Sequence, residues 1–432
     1  MTTLTTYQIA ERARKAAPQM AELSNDQKAR GLAEIAHILH QGKEEILGAN
    51  KADLLRAKTE GLAGPLLKRL KVDGPKLEEA IEGVRAVAGL KDPVGQVQRA
   101  TELSPGLELR KVSCPLGVIG MIFESRPDAL VQMTSLALKS GNCVLLKGGR
   151  EALETNRVLA KLIQQATEKV GIPKGWMSLL ETREDVQDLL KLDSFIDLLI
   201  PRGSNEFVRY IMEHTLIPVM GHADGICNGY VDANVDLDQA ISVVVDSKTQ
   251  YVAVCNALEN LLVHRDVAPI FLPRVREALE AHSVQLRGCK RTRQIIPIAE
   301  ATDKDWATEY LDYILSIKIV DSLDEAINFI HTYGSKHTDV ILTKDPTAAQ
   351  KFFTQVDTGS VLLNCSTRFA DGFRYGLGAE VGISTGKLHA RGPVGVEGLV
   401  TYKWQLVGQG HRVADFSGES PIQVYTHRNL DA

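Results

Sequence analysis

The sequence predicts an α/β protein made of two parallel-sheet units in series, with helices in front and a short strand-rich tail behind. Three observations carry that reading. From residue 4 to about 90, Ala, Leu and Ile recur at spacings of three and four among charged residues, as at Leu32, Ile35, Ala36 and Leu39, which is the period of helices with one apolar face. Beyond Pro115, short apolar runs alternate with longer helical patterns, as expected of parallel strands joined by crossover helices. After Cys255 a second series of the same kind begins.

Each element has its own local reason. GVIGMIF and CVLLKG are unbroken apolar runs between turn residues and suit strands buried on both faces, while DALVQMTSLALKSG between them has a helical period. A helix from about 151 to 170 follows, then WMSLLE as strand, REDVQDLLKL as helix, FIDLLI as strand and a helix near 204 to 214. In the second series LLVH leads to a helix near 268 to 281, a strand ending ILSIKIV, the helix DEAINFIHTYG, the strand DVILT, a helix near 347 to 356 and the strand GSVLLN. Ala414 to Arg428 has no helical period and reads as one or two strands. Strands left at a chain end often pair with another subunit, so a homo-oligomer is expected.

With 432 residues, 44% hydrophobic and 24% charged, the chain can bury a core large enough for two or three domains. A net charge of -4 with scattered Lys and Arg disfavours nucleic acid as a partner. No apolar run reaches about 18 residues, so no membrane span is expected, and MTTLTTYQIAERARKAA lacks a signal peptide's apolar middle. The expectation is a cytoplasmic protein. Cys114, Cys143, Cys227, Cys255, Cys289 and Cys365 form no C-x-x-C pair and no Cys/His cluster at ligand spacing, which predicts neither a disulfide framework nor a metal site. Cys143 and Cys365 read as small packing residues.

Cys255 differs from these. In YVAVCNALENL it follows a short strand-like run and precedes Ala, Leu and Glu at helix-compatible spacing, so the sequence predicts a helix starting at the thiol. Unpaired amides at such an end would stabilise a thiolate and an oxyanion formed by its attack on a carbonyl.

Two glycine-bearing turns follow predicted strands and open helices. KGGRE, with Lys147, Gly148, Gly149 and Arg150, and IPRGSNEF, with Gly203 and Ser204, let a backbone approach phosphate oxygens closely. GLGAEVG, by contrast, has the wrong spacing and setting for a dinucleotide turn. Arg126 in FESRP, His389 and Arg391 in KLHARGP, and the TRF triplet from Thr367 to Phe369 suggest an anionic substrate, because a guanidinium binds carboxylate or phosphate through two parallel hydrogen bonds.

Taken together, PLGVIGMIFESRPDA, IPRGSNEFV, IPVMGHADGIC followed by YVD, CNALENLLVH, STRFADGFRYGLGAEVGIS and KLHARGPVGVEGLVTYKW resemble the aldehyde dehydrogenase superfamily over nearly the whole chain. Within it they resemble the branch that reduces L-glutamyl 5-phosphate to L-glutamate 5-semialdehyde in proline biosynthesis. The resemblance implies an aldehyde dehydrogenase-like fold of two α/β domains with a small β oligomerisation flap. Its divisions would be a cofactor-binding domain over 1–232, a catalytic domain over 233–403, and a flap of 404–432 with about 98–114. It implies Cys255 as nucleophile, with Ser125 and Asn256 beside it in the catalytic centre, and substrate held by Arg126, Arg368, His389 and Arg391. NADPH would lie across Lys147, Gly148, Gly149, Arg150, Gly203 and Ser204, with Glu309 on the nicotinamide ribose. A functional association with glutamate 5-kinase is also implied. Asn228 stands where a histidine is common in that branch, and His222 falls where hydrolytic members carry a water-activating glutamate.

The alternatives are another NAD(P)-dependent semialdehyde dehydrogenase, a cofactor-free cysteine hydrolase pairing Cys255 with His264 or His222, and a scaffold without activity. The doubled α/β organisation and the two phosphate-type turns argue against the hydrolase.

Overall fold

The computed structural model describes residues 4–62, 64–221, 224–419 and 421–430. Helices Thr6–Ala21, Asn25–Gln41, Lys43–Thr59 and Gly74–Gly89 make up most of the first ninety residues. The first two open with capping boxes, Thr5 with Gln8 and Ser24 with Gln27, in which each side chain satisfies the other's free backbone amide. Leu32, Ile35, Ala36 and Leu39 are all buried, as their spacing predicts.

Strands β1 (Val97–Ser104) and β2 (Leu107–Pro115) form an antiparallel pair. β3 (Val118–Phe123), β4 (Cys143–Lys147), β5 (Met177–Leu180) and β6 (Leu198–Arg202) form a parallel sheet in the order β5-β4-β3-β6. β3 and β4 are buried along their whole length, which is why they read as unbroken apolar runs. β7 (Cys227–Val231), β8 (Leu258–His264), β9 (Gln285–Gly288), β10 (Ala299–Glu300), β11 (Ile314–Val320), β12 (Thr338–Leu342) and β13 (Ser360–Leu363) form a second parallel sheet, ordered β10-β9-β11-β8-β7-β12-β13. β14 (Gly382–Ser384) and β15 (Gly392–Val394) make a hairpin, and β16 (Val400–Val407) and β17 (Arg428–Leu430) flank the first pair in the order β16-β2-β1-β17.

Three expectations are corrected here. A division at 232 would leave β7 with the first sheet, but β7 pairs in parallel with β8 and β12 and belongs to the second. The segment before β16, expected in the second unit, sends Val381, Val394 and Leu399 into the core of the first, where they join Leu130, Leu138 and Leu145. The described residues of Ala414–Arg428 are largely irregular: they contain part of a short 3-10 turn, Val413–Phe416, and pair as strand only from Arg428 onward. Phe416, Tyr425 and His427 stack face to face in that tail, so aromatic packing supplied the strand-like composition. Among the described residues no helix is long and apolar enough to cross a membrane.

Strand register sets where chemistry can happen. Phe123 lies opposite Arg202 and Ile122 opposite Lys147, so the first sheet presents Lys147, Glu124 and Arg202 along one carboxyl edge. Cys255 lies just before β8 and Gly225 just before β7, at the amino edge of the second sheet.

Candidate active site

Cys255 lies in a turn between helix Leu237–Thr249 and β8, and no helix begins there. The helical spacing of its successors came from polar residues that proved to be buried strand positions. The Glu259 carboxylate accepts from Lys248 Nζ at 2.7 Å, with both side chains fully buried. Asn260 donates to Asn228 Oδ1 and to the Trp306 carbonyl, each at 3.0 Å. With the Glu259 carboxylate and the Asn260 amide N–H groups paired in this way, polar residues sit in a strand covered on both faces. The thiol therefore has no helix dipole behind it.

The turn is held from several sides. Arg69 Nη2 donates to the Ala253 carbonyl at 3.2 Å, the Cys227 thiol to the Cys255 carbonyl at 3.2 Å, and Asn256 Nδ2 to the Ala370 carbonyl at 2.8 Å. Gly225 presses against it so closely that an added Cβ would fall 2.4 Å from the Cys255 carbonyl oxygen and 2.5 Å from its Cα. Gly225→Ala must therefore push the turn away. Because a displacement of about 1 Å costs on the order of 100-fold in rate, kcat is expected to fall by about that factor while the melting temperature drops far less. An unchanged kcat would show that the turn tolerates displacement.

At the carboxyl edge of the first sheet, Ser125 adopts a φ of 46°, a left-handed backbone that serine rarely takes. Both its N–H and its hydroxyl donate to Glu151 Oε1, which pins the β3 turn to the β4 turn. Burial draws the Lys147 ammonium below its usual pKa, opposed chiefly by Glu151. Burial likewise pushes the neighbouring Glu124 carboxyl up, opposed by the Ser204 amide. A Cβ on Gly148 would meet Asn156 Nδ2 at 2.1 Å, and one on Gly203 would lie 2.9 Å from Glu124 Oε2, so neither turn has room for a side chain. Ser204 caps helix Asn205–Glu213 by accepting from the Phe207 amide at 3.3 Å. Arg150 is exposed, and its carbonyl accepts from Arg56 at 3.0 Å. Asn205 Nδ2 reaches Glu309 Oε2 at 2.8 Å and Asp224 Oδ1 at 2.9 Å, so it bridges the first sheet's last turn to the loop before β11. Two glycine turns at one sheet edge, a buried lysine between them and a facing carboxylate fit a nicotinamide dinucleotide.

The arginines divide into two groups. Arg126, just before helix Pro127–Lys139, pairs with Asp128 at 3.1 Å. Arg368 is buried and donates from Nε to Gln250 Oε1 at 2.9 Å; burial and the neighbouring Arg374 lower its pKa, and Asp371 partly offsets that. Arg391 is tied instead to Asp357, just before β13, at 2.9 Å, and Lys387 pairs with the same carboxylate at 2.9 Å. His389 is exposed on the turn between β14 and β15. Sequence reasoning missed Glu151, Asn205 and Arg202, although all three lie inside the two turn motifs it singled out. Asn228 is fully buried; its amide group donates to Asp339 and accepts from Asn260. His222 lies outside the described residues.

Residues 2–314 match the model of the aldehyde dehydrogenase family. The chain is 58% identical to gamma-glutamyl phosphate reductase from Pelotomaculum thermopropionicum, over 98% of this chain and 97% of that protein. The crystal structure of gamma-glutamyl phosphate reductase from Thermotoga maritima superposes with a TM-score of 0.93 at 39% identity, covering 95% of this chain and all of that one. An acetylating aldehyde dehydrogenase from Geobacillus thermoglucosidasius shares the fold at a TM-score of 0.64 and 16% identity, over 94% of this chain and 96% of that one.

Proposed function

The chain belongs to the aldehyde dehydrogenase family, and from that premise we propose that it reduces L-glutamyl 5-phosphate to L-glutamate 5-semialdehyde with NADPH through a thioester on Cys255. It is an oxidoreductase acting on an acyl phosphate or aldehyde with a nicotinamide cofactor, at the proline-biosynthesis step for which its relatives are named. One observation carries the mechanism: Cys255 sits in a turn braced by Arg69, Cys227 and Asn256, with Gly225 pressed against it, which holds the sulfur in place.

In the proposed reaction the Cys255 thiolate attacks the acyl carbon, the C–S bond forms, the C–O bond to phosphorus breaks, and phosphate leaves. Bound NADPH supplies the hydride that reduces the thioester. The resulting thiohemiacetal collapses, returning the thiolate and releasing the aldehyde. Asn256, next to Cys255, and the turn that Ser125 closes with Glu151 are proposed to line the place of the acyl oxygen. Arg126, Arg368, His389 and Arg391 are proposed to hold substrate anions. Lys147, Gly148, Gly149, Arg150, Gly203, Ser204 and Glu309 are proposed to hold the dinucleotide. The basic pair Lys147 and Arg150 favours the 2′-phosphate of NADPH.

A homo-oligomer built through the four-stranded flap is part of the proposal, supported by the exposed Tyr402, Trp404 and Leu406 along β16. Association with glutamate 5-kinase is a further part, motivated by the lability of an acyl phosphate in water.

The test runs the reaction in reverse. Glutamate 5-semialdehyde should be oxidised only when phosphate or arsenate is present, with kcat/KM for NADP above that for NAD. Full rate in phosphate-free buffer with glutamate as product would mean that water cleaves the thioester, and would overturn the acyl-phosphate reading. Equal kcat/KM for both coenzymes would remove the NADP assignment.

A further inference from the structure

We propose that Arg202 is the residue that binds the phosphate group of the substrate, exchanging a weak hold on Glu380 for the phosphate oxygens. This rests on the reading of Cys255 as the nucleophile. Arg202 ends β6, beside Phe123 of β3, so its guanidinium projects from the carboxyl edge that also carries Arg126 and the glycine turn at Gly203. Among the described residues its only ion pair is with Glu380, Nη2 to Oε1 at 3.7 Å, beyond hydrogen-bond reach. No side-chain hydrogen bond from Arg202 to a described residue is found, so the planar fork is free for a bidentate anion.

Glu380 does not need Arg202 for its own placement. Its other oxygen accepts from the Gly372 amide at 2.8 Å, and Gly372 lies so close that an added Cβ would meet Glu380 Cβ at 2.6 Å. The carboxylate therefore stays fixed when the arginine moves.

The charges around Arg202 indicate which anion it takes. Arg202 stands three residues before Asn205, whose side chain bonds Asp224 at 2.9 Å, and the next residue, Gly225, packs against Cys255, so the edge that carries Arg202 meets the turn that carries the sulfur. The phosphate is bonded to the carbon that the sulfur attacks, whereas the substrate's carboxylate lies at the far end of the molecule. An arginine on the edge that meets the sulfur's turn is therefore matched to the leaving group. Arg126, held to Asp128 at 3.1 Å, adds a second guanidinium on the same sheet edge, and two such charges favour an anion carrying two charges over a carboxylate.

The test uses the full chain, inorganic phosphate as probe, and Arg202→Gln, Arg202→Lys and Glu380→Gln. Phosphate should slow alkylation of Cys255 by iodoacetamide at least about fivefold in the parent and less than about twofold in Arg202→Gln, read by mass spectrometry of the Cys255 peptide. In the reverse reaction Arg202→Gln should raise KM for phosphate at least about tenfold with KM for the semialdehyde within about twofold, and Arg202→Lys should recover only part of the loss. Glu380→Gln, which frees the guanidinium, should lower the phosphate concentration needed for protection, and it decides the matter if Arg202→Gln does not fold. Parent-like phosphate protection in Arg202→Gln, or weaker protection in Glu380→Gln, would overturn the assignment. If the parent oxidises the semialdehyde without phosphate, the acyl-phosphate reading fails, while the alkylation arm still reports whether Arg202 binds the anion.

Discussion

Cys255→Ala is expected to lower turnover by about 10⁴-fold or more, because the alternative to covalent catalysis at this site is direct hydride transfer to an acyl phosphate with no group to hold the acyl carbon. Binding of the nicotinamide cofactor, followed by quenching of protein fluorescence, should stay within about twofold of the parent, since the glycine turns proposed to hold it follow strands of the first sheet while Cys255 precedes a strand of the second. The pair of measurements matters more than either alone. Lost turnover with lost binding would point to a collapsed fold, and turnover within tenfold of the parent would remove the nucleophile assignment. The buried neighbour Cys227 cannot take over: burial raises its thiol well above the ordinary value, and its sulfur is committed to the Cys255 carbonyl.

Lys248→Met should produce the largest loss of stability, about 3 to 5 kcal/mol, by leaving the Glu259 carboxylate buried without its partner. That pair does more than fill the core. Lys248 belongs to the helix before Cys255, Glu259 to the strand after it, and the Glu259 carboxylate also accepts from the Leu311 amide at 3.4 Å in the loop that carries Glu309. The helix, the strand and the loop on which the site is built are thus tied at one buried point.

Burial already pushes the Glu259 carboxyl up to about 7 and draws Lys248 down, with mutual attraction offsetting part of each shift. A carboxyl whose folded pKa is raised favours the folded state at low pH, and that contribution is lost as pH rises through the folded value. Removing the ammonium lifts Glu259 further. The deficit of Lys248→Met relative to the parent should therefore be greatest above pH 7 and shrink toward pH 5, where the folded parent and the folded variant both carry the carboxyl protonated. Urea unfolding at pH 8 and pH 5.5 checks it: a deficit under about 1 kcal/mol, or one independent of pH, would mean that the pair contributes little.

Much of the architecture was legible because it is local. The helices around Leu32 and Leu39, the strands GVIGMIF and CVLLKG, and the second series from LLVH to GSVLLN announce themselves by period and by unbroken apolar runs, which depend only on neighbours along the chain. The family strings did as much for chemistry, since a thiol in CNALENLLVH and glycines in KGGRE and IPRGSNEF are read without knowing what faces them.

What period could not settle was anything decided by partners far along the chain. Glu259 and Asn260 made a strand look helical because the groups that satisfy them, Lys248, Asn228 and the Trp306 carbonyl, are brought there only by folding. Two strands from around residue 100 and two from the chain's end share one sheet although hundreds of residues separate them. Arg391, grouped by its motif with the other arginines, is held by Asp357 at 2.9 Å, while Arg202, unremarked in its motif, keeps only a 3.7 Å ion pair with Glu380 among the described residues. The sequence by itself determined the elements, their order and the residue types able to do the chemistry, because local spacing and burial encode them. Only the tertiary structure decided that the carboxyl edge of one sheet meets the amino edge of the other at Cys255, because that meeting depends on strand order and on buried pairings that no local pattern records.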